Sequence, residues 1–130
     1  MSAETNKTFI SRYVEALSGK PKDEDTLRRY ITDPTLREHI AAFEAAFPRY
    51  EILVDDLIAE GDKVVLRGTF RGTHQGELMG IAPTGRTVNV PLIMVYQLAS
   101  EKISDHWMGV DRMDLLQQLG VAPAPTAGVH

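Results

Sequence analysis

Cysteine is absent from all 130 residues, and its absence removes disulfides, zinc knuckles, thiol nucleophiles and iron–sulfur ligation together. No apolar run approaches the ~18 residues that a membrane-spanning helix needs. Positive charge is short as well: 14 Lys and Arg stand against 18 Asp and Glu, a net charge of −4. No basic stripe is available for a phosphate backbone, so nucleic acid is not an expected partner. The opening Met1-Ser2-Ala3-Glu4 lacks the charged-then-apolar pattern of a signal peptide, which makes the cytoplasm the expected compartment. His39, His74, His106 and His130 lie far apart in sequence and form no metal-ligand spacing, so no bound metal is expected. Nucleophile elbow, Walker loop and dinucleotide fingerprint are missing too, so no cofactor is expected.

What is present is ordinary for a soluble globule, 43% hydrophobic and 25% charged, in a chain long enough for one hydrophobic core. The expected organisation is a single domain over 1–121 and a flexible tail over 122–130, where Ala122-Pro123-Ala124-Pro125 has no face to bury. From Ala3 to Leu17, Phe9, Ile10, Tyr13, Val14 and Leu17 recur at steps of three and four, and Gly19 and Pro21 stop the pattern, so the front reads as an amphipathic helix. Asp25 is a candidate cap for a short helix with Leu27, Tyr30 and Ile31; Asp33 followed by Pro34 starts a third, running to about Phe47 with Leu36, Ile40, Phe43 and Phe47 as its buried stripe.

Beyond Pro48 the period becomes two. Tyr50 to Ala59 and Lys63 to Thr73 flank the turn signal Glu60-Gly61-Asp62 as a hairpin, and Thr87 to Leu98 and Lys102 to Val110 follow as further antiparallel strands, with a last short helix over Asp111 to Leu119. Helices first and sheet second argue α+β. A curved, mostly antiparallel sheet with the N-terminal helices on its concave face forms a cone that encloses an apolar pocket. On the strand from Val64, Leu66, Phe70 and His74 share one parity, which puts His74 at the pocket rim; on the next, Val88, Val90, Leu92, Met94, Tyr96 and Leu98 share a face. The opposite parity there, Pro91, Ile93 and Val95, is apolar enough to need cover, and a second copy of the chain is the expected one.

The stretch Gly72-Thr73-His74-Gln75-Gly76-Glu77-Leu78-Met79-Gly80-Ile81-Ala82-Pro83-Thr84-Gly85-Arg86 resembles the GTHxGExxGIxPTGK/R loop of SnoaL-like polyketide cyclases. Lys102-Ile103-Ser104-Asp105-His106-Trp107 through Asp111, then Leu115-Leu116-Gln117-Gln118-Leu119-Gly120, resembles that family's KIxxHWxxxD…LLxQLG ending. The resemblance is dense from about Phe47 to Gly120. It implies the nuclear transport factor 2-like cone, a dimer through the sheet, and a possible cofactor-free intramolecular aldol closure of a polyketide ring. It also implies an acid/base Asp near the end of the sheet, and the matching position is Asp111. Where relatives carry a His-x-Pro-type segment, this chain has Thr32-Asp33-Pro34.

Asp111 reads in two ways: a general base lifted by an apolar cavity, or a cap of the last helix, held ionised by backbone N–H groups. His74 is either its donor partner at the developing enolate or an organiser of its own loop. Trp107 shares the parity of Asp111 and either floors the ligand or packs in the core or an interface; His106, of opposite parity, reads more readily as outward-facing, and as a carbonyl donor if it turns inward. Tyr13, Tyr96, Phe70 and Met94 complete the expected ligand-binding set, and His39 fits either side of its helix. The expected ligand is a small apolar carbonyl compound; the alternatives are a non-catalytic binding or association domain, and an epoxide or ester hydrolase.

Overall fold

A computed structural model describes residues 2–121; the expected tail over 122–130 lies outside the described residues. Its elements run α1 (Ala3–Leu17), α2 (Glu24–Tyr30), α3 (Pro34–Ala46), β1 (Glu51–Glu60), β2 (Lys63–Thr73), β3 (Thr87–Ala99), β4 (Lys102–Val110) and α4 (Arg112–Leu119). The four strands form one antiparallel meander in the order β1-β2-β3-β4, and the architecture is α+β.

Each helix begins where a short polar side chain can satisfy the free N–H groups of the first turn. Ser2 accepts from Thr5 N and Asp33 from Thr35 N and Leu36 N. At α2 the cap is Asp23 rather than Asp25: Asp23 accepts from Thr26 N, while Glu24 and Asp25 fall inside the first turn, where negative charge meets the positive end of the helix dipole. The third helix stops one residue short of Phe47, which becomes its C-cap.

Alternation along β3 is strict, with every even residue from Val88 to Leu98 buried. Tyr13, Val14 and Leu17 of α1 and Leu36 and Ile40 of α3 are buried in the same core, so the helices cover one face of the sheet and leave the other bare. Lys22 closes the lower corner. Its Nζ donates to the carbonyls of Lys20 and Tyr50 at 2.8 and 2.9 Å, meets Glu44 at 3.1 Å and sits 4.0 Å above the Tyr50 ring. Burial pushes the Lys22 ammonium down from its usual range, against the pull of Glu44 in the other direction.

One irregularity decides what faces the core. From Leu92↔Val110 to Gln97↔Asp105 the β3–β4 register is regular, and it then shifts between Gln97 and Leu98, so that Leu98 meets Ile103. A bulge inserts one residue and flips the parity beyond it. Ile103 therefore points inward although it lies an odd step of three positions from His106, and His106, Met108 and Val110 point inward opposite Tyr96, Met94 and Leu92. The chain between α2 and α3 docks on this end of β4: Ile31 forms a parallel bridge with Ile103, and Thr32 N and Asp33 N donate to the Ile103 carbonyl at 2.9 and 3.2 Å.

Candidate functional site

Between the helices and the sheet lies a cavity of about 70 Å³ lined by residues of α1 and α3, Ile52 of β1, Phe70 of β2, the even residues of β3 from Val90 to Tyr96, Met108 and Val110 of β4, and Leu115 of α4. Its wall is aromatic and aliphatic, with Tyr13, Phe43, Tyr50, Phe70, Met94 and Tyr96 among the lining residues. His39, on α3 between the buried Leu36 and Ile40, also lines it while remaining exposed, and so marks the mouth. An apolar cavity of about 150 Å³ takes a benzene ring. The enclosed space alone is therefore smaller than a ring needs, and it continues toward the exposed His39 and the half-buried Phe43.

Polar groups collect on one side. Tyr96 stands directly opposite His106 on β4, and the Tyr13 ring meets Tyr96 edge-on at 5.7 Å. Burial pushes the phenols of Tyr13, Tyr50 and Tyr96 above their usual range, and for Tyr13 the neighbouring Tyr96 and Tyr50 push in the same direction. All three stay protonated and uncharged at neutral pH, and all three are residues of the cavity wall.

Behind the mouth, Asp33 Oδ2 lies 2.7 Å from His106 Nδ1, with the side chains of His106 and Asp33 only 6% and 8% exposed. On the far side of the His106 ring, Nε2 lies 3.3 Å from His39 Nδ1, the two imidazoles edge-on at 5.4 Å. The other Asp33 oxygen, Oδ1, accepts from Thr35 N at 2.9 Å and Leu36 N at 3.3 Å. Burial pushes the Asp33 carboxyl up, but the His106 hydrogen bond and the α3 backbone N–H groups together outweigh it and hold it below the ordinary carboxylate value. Asp33 is thus ionised at neutral pH, and a carboxylate, two imidazoles and the cavity mouth stand in line. Asp33, Asp105 and His106 also bring three possible metal-ligand atoms within 4.8 Å of one another. Two of those atoms already bond each other, and Asp105 Oδ1 accepts from His106 N at 2.8 Å; an ion there has to break the Asp33–His106 bond.

The residues singled out from the sequence divide between cavity and periphery. Tyr13, Phe70, Met94 and Tyr96 line the cavity. Asp111 does not: it caps α4, accepting from Asp114 N at 2.9 Å, and borders a groove on the bare face of the sheet with Arg67 and Asp55. Trp107 shares that outward parity, 48% exposed, with the Lys63 ammonium 5.7 Å from its ring centroid. The expected outward orientation of His106 is reversed, because the β4 register pairs it with the inward Tyr96. His74 is fully buried beneath its own loop: Nδ1 accepts from Thr84 N at 3.1 Å, its ring lies 5.3 Å from Phe47, and it is no part of the cavity wall. His39, which fitted either side of its helix, faces the cavity, and Asp33, expected only as a helix start, stands behind it. The usable signal was the apolar parity of Met108 and Val110, which includes His106 once Trp107 is assigned to the bare face.

The SnoaL-like polyketide cyclase family matches residues 9–119, and the chain belongs to that family. Among solved structures it is similar to AclR, a proposed hydroxylase from Streptomyces galilaeus, with 27% identity, a TM-score of 0.81, and coverage of 98% of this chain and 88% of that one. It is similar to TsrD from Streptomyces laurentii, with 26% identity, a TM-score of 0.76, and coverage of 94% and 99%. IdmH, a proposed polyketide cyclase from Streptomyces antibioticus, has 27% identity, a TM-score of 0.72, and coverage of 89% and 99%. The fold is the nuclear transport factor 2-like cone of these relatives. No curated protein matches the sequence significantly. Among the described residues no helix is long and apolar enough to cross a membrane.

Proposed function

We propose that the cavity binds a small apolar carbonyl compound and that the imidazole pair at its mouth carries out general acid–base chemistry on it, of the kind that closes a ring by intramolecular aldol addition without a cofactor. The carrying observation is His39 on the wall of a largely apolar cavity, in contact with a His106 whose buried side chain is braced by an ionised Asp33. In the first step His39 takes a proton from the carbon beside a carbonyl; the C–H electrons move into an enolate whose oxygen is met by a phenol O–H from Tyr13 or Tyr96. The enolate carbon then adds to a second carbonyl of the same molecule, and the new alkoxide recovers the proton from His39. No atom is lost, and the imidazole returns to its starting state.

Benzoylacetone, an apolar 1,3-dicarbonyl compound, is a suitable probe. Exchange of its C2 hydrogens in D2O, followed by NMR, is expected to be faster with the protein than in buffer of the same pH. Binding without faster exchange transfers the reading to a non-catalytic ligand-binding module; no binding at all removes the carbonyl ligand class.

The bare face of the sheet supports a homodimer. Ile58, Val65, Val95 and Trp107 stand opposite one another across all four strands, with Ile93 beside them. Ile58, Ile93 and Trp107 are 63%, 50% and 48% exposed, a contiguous apolar surface that a second copy would cover. Sedimentation at micromolar concentration is expected to give a dimer, and Ile93→Glu with Trp107→Glu a folded monomer; a monomeric wild-type chain overturns this.

A further inference from the structure

We propose that Asp33 is a positioning residue that fixes the direction of the His106–His39 proton relay, so that the ring nitrogen of His39 remote from His106 is left as the proton acceptor. This rests on the acid–base reading of the site but concerns a property of the protein without ligand.

Asp33 is held from three directions. Its backbone N–H is bonded to the Ile103 carbonyl on β4 at 3.2 Å, its Oδ1 accepts two N–H groups at the start of α3, and its Oδ2 meets His106 Nδ1 at 2.7 Å. A carboxylate pinned in this way cannot turn to follow its partner. Being ionised, it has no proton to give, so His106 Nδ1 must carry the hydrogen of that bond. In the neutral ring Nε2 is then an acceptor, and among the described residues the group facing it at hydrogen-bond distance is His39 Nδ1, which must donate. The same logic applied to the second ring leaves His39 Nε2 without a proton.

The helix that Asp33 caps also carries Leu36, His39, Ile40 and Phe43 into the cavity wall. One carboxylate therefore sets both where His39 stands and which of its nitrogens is basic. No local sequence pattern joins these residues: Asp33 and His106 are 73 positions apart.

Asp33→Asn separates the two tasks. Asn caps helices about as well as Asp, so α3 keeps its start. The amide NH2, however, presents a donor to His106 Nδ1, which must then accept; the hydrogen moves to Nε2, His39 Nδ1 becomes the acceptor, and its remote nitrogen carries a proton and no longer serves as a base. The measurement is the ring 15N spectrum of both histidines in the ligand-free protein at about pH 9, well above the ~6.5 of a free imidazole. The wild type is expected to show protonated Nδ1 and unprotonated Nε2 at His106 and at His39, and Asp33→Asn the reverse at both, with unchanged far-UV dichroism. On benzoylacetone the variant is expected to lose about 10²-fold in exchange rate with little change in apparent KM. A wild-type His106 protonated at Nε2, or identical tautomers in the two proteins, overturns the proposal. If the tautomers reverse while neither protein speeds exchange, the positioning stands and the acid–base reading falls; if the wild type speeds exchange and the variant matches it, the positioning falls alone.

Discussion

His39→Gln is expected to lower the rate of proton exchange on a cavity-bound 1,3-dicarbonyl compound by about 10²–10⁴-fold, the usual worth of a positioned general base, while Asp111→Asn leaves it within a factor of two or so of the wild type. The contrast is sharp because neither change touches the core. His39 is exposed, and Gln keeps a polar group within reach of His106 Nε2, so the fold is expected to be retained, which urea denaturation checks. Asp111 contributes a cap to α4, and Asn fulfils it about as well. Loss of activity at His39 therefore cannot be charged to unfolding, and retained activity at Asp111 cannot be credited to rescue. Equal loss in both variants would return the acid/base role to Asp111 despite its position on the far side of the sheet, and loss in neither would leave the cavity without an identified base. The steady-state form of the result also matters: a base acts on the proton in flight, so kcat falls while KM, set by the apolar wall of Phe70, Met94 and Leu92, stays near its wild-type value.

The framework of this fold was legible because its signals are local. Helix α1 was legible over about Ala3 to Leu17 from the spacing of Ile10, Tyr13, Val14 and Leu17 and the Gly19 and Pro21 stop, and the even face of β3 from plain alternation. The cavity wall followed from the same periodicities, which is why Tyr13, Phe70, Met94 and Tyr96 come together on it. The polar part of the site was not legible, for two physical reasons. The β-bulge between Gln97 and Leu98 breaks the parity of β4, so Ile103 and Met108 lie on one face although their spacing is odd; counting alternate residues from Ile103 puts Trp107 inside and His106 outside. The carboxylate that completes the site comes from a helix cap 73 positions away, brought to β4 by hydrogen bonds from the Thr32 and Asp33 backbone to the Ile103 carbonyl. As a sequence feature Asp33-Pro34 signals only a helix start, and its second oxygen acquires a partner solely through tertiary packing. Asp111 is the reverse case, a carboxylate whose resemblance to a family position pointed to chemistry while its neighbours, Arg112 to Leu119, make it a cap.

Phe47→Ala is expected to be the most costly of the single truncations in the core, about 3–5 kcal/mol by urea denaturation, and the reason lies at the junction of helix and sheet. Phe47 is fully buried as the C-cap of α3, 5.2 Å from the Phe70 ring, 5.3 Å from His74 and 6.5 Å from Phe43. Gly72 on β2 leaves the space its ring occupies: a Cβ there would come within 2.9 Å of the Phe47 Cβ. The surroundings are strand backbone and the hydrogen-bonded His74 loop, which cannot fold inward to fill the void, so the cavity term adds to the transfer term in full. Against a total of about 5–15 kcal/mol for a domain of ordinary stability, the variant keeps only part of its margin, and a midpoint shift worth less than about 1 kcal/mol would mean that α3 slides to close the gap. That alternative has a functional readout, because α3 carries His39 and the void adjoins the ligand cavity through Phe43 and Phe70, which line it. A rigid α3 leaves the His39–His106 contact intact and enlarges the space for ligand, so probe binding tightens or holds while stability drops; a sliding α3 spares stability and breaks the 3.3 Å contact, so proton exchange fails instead.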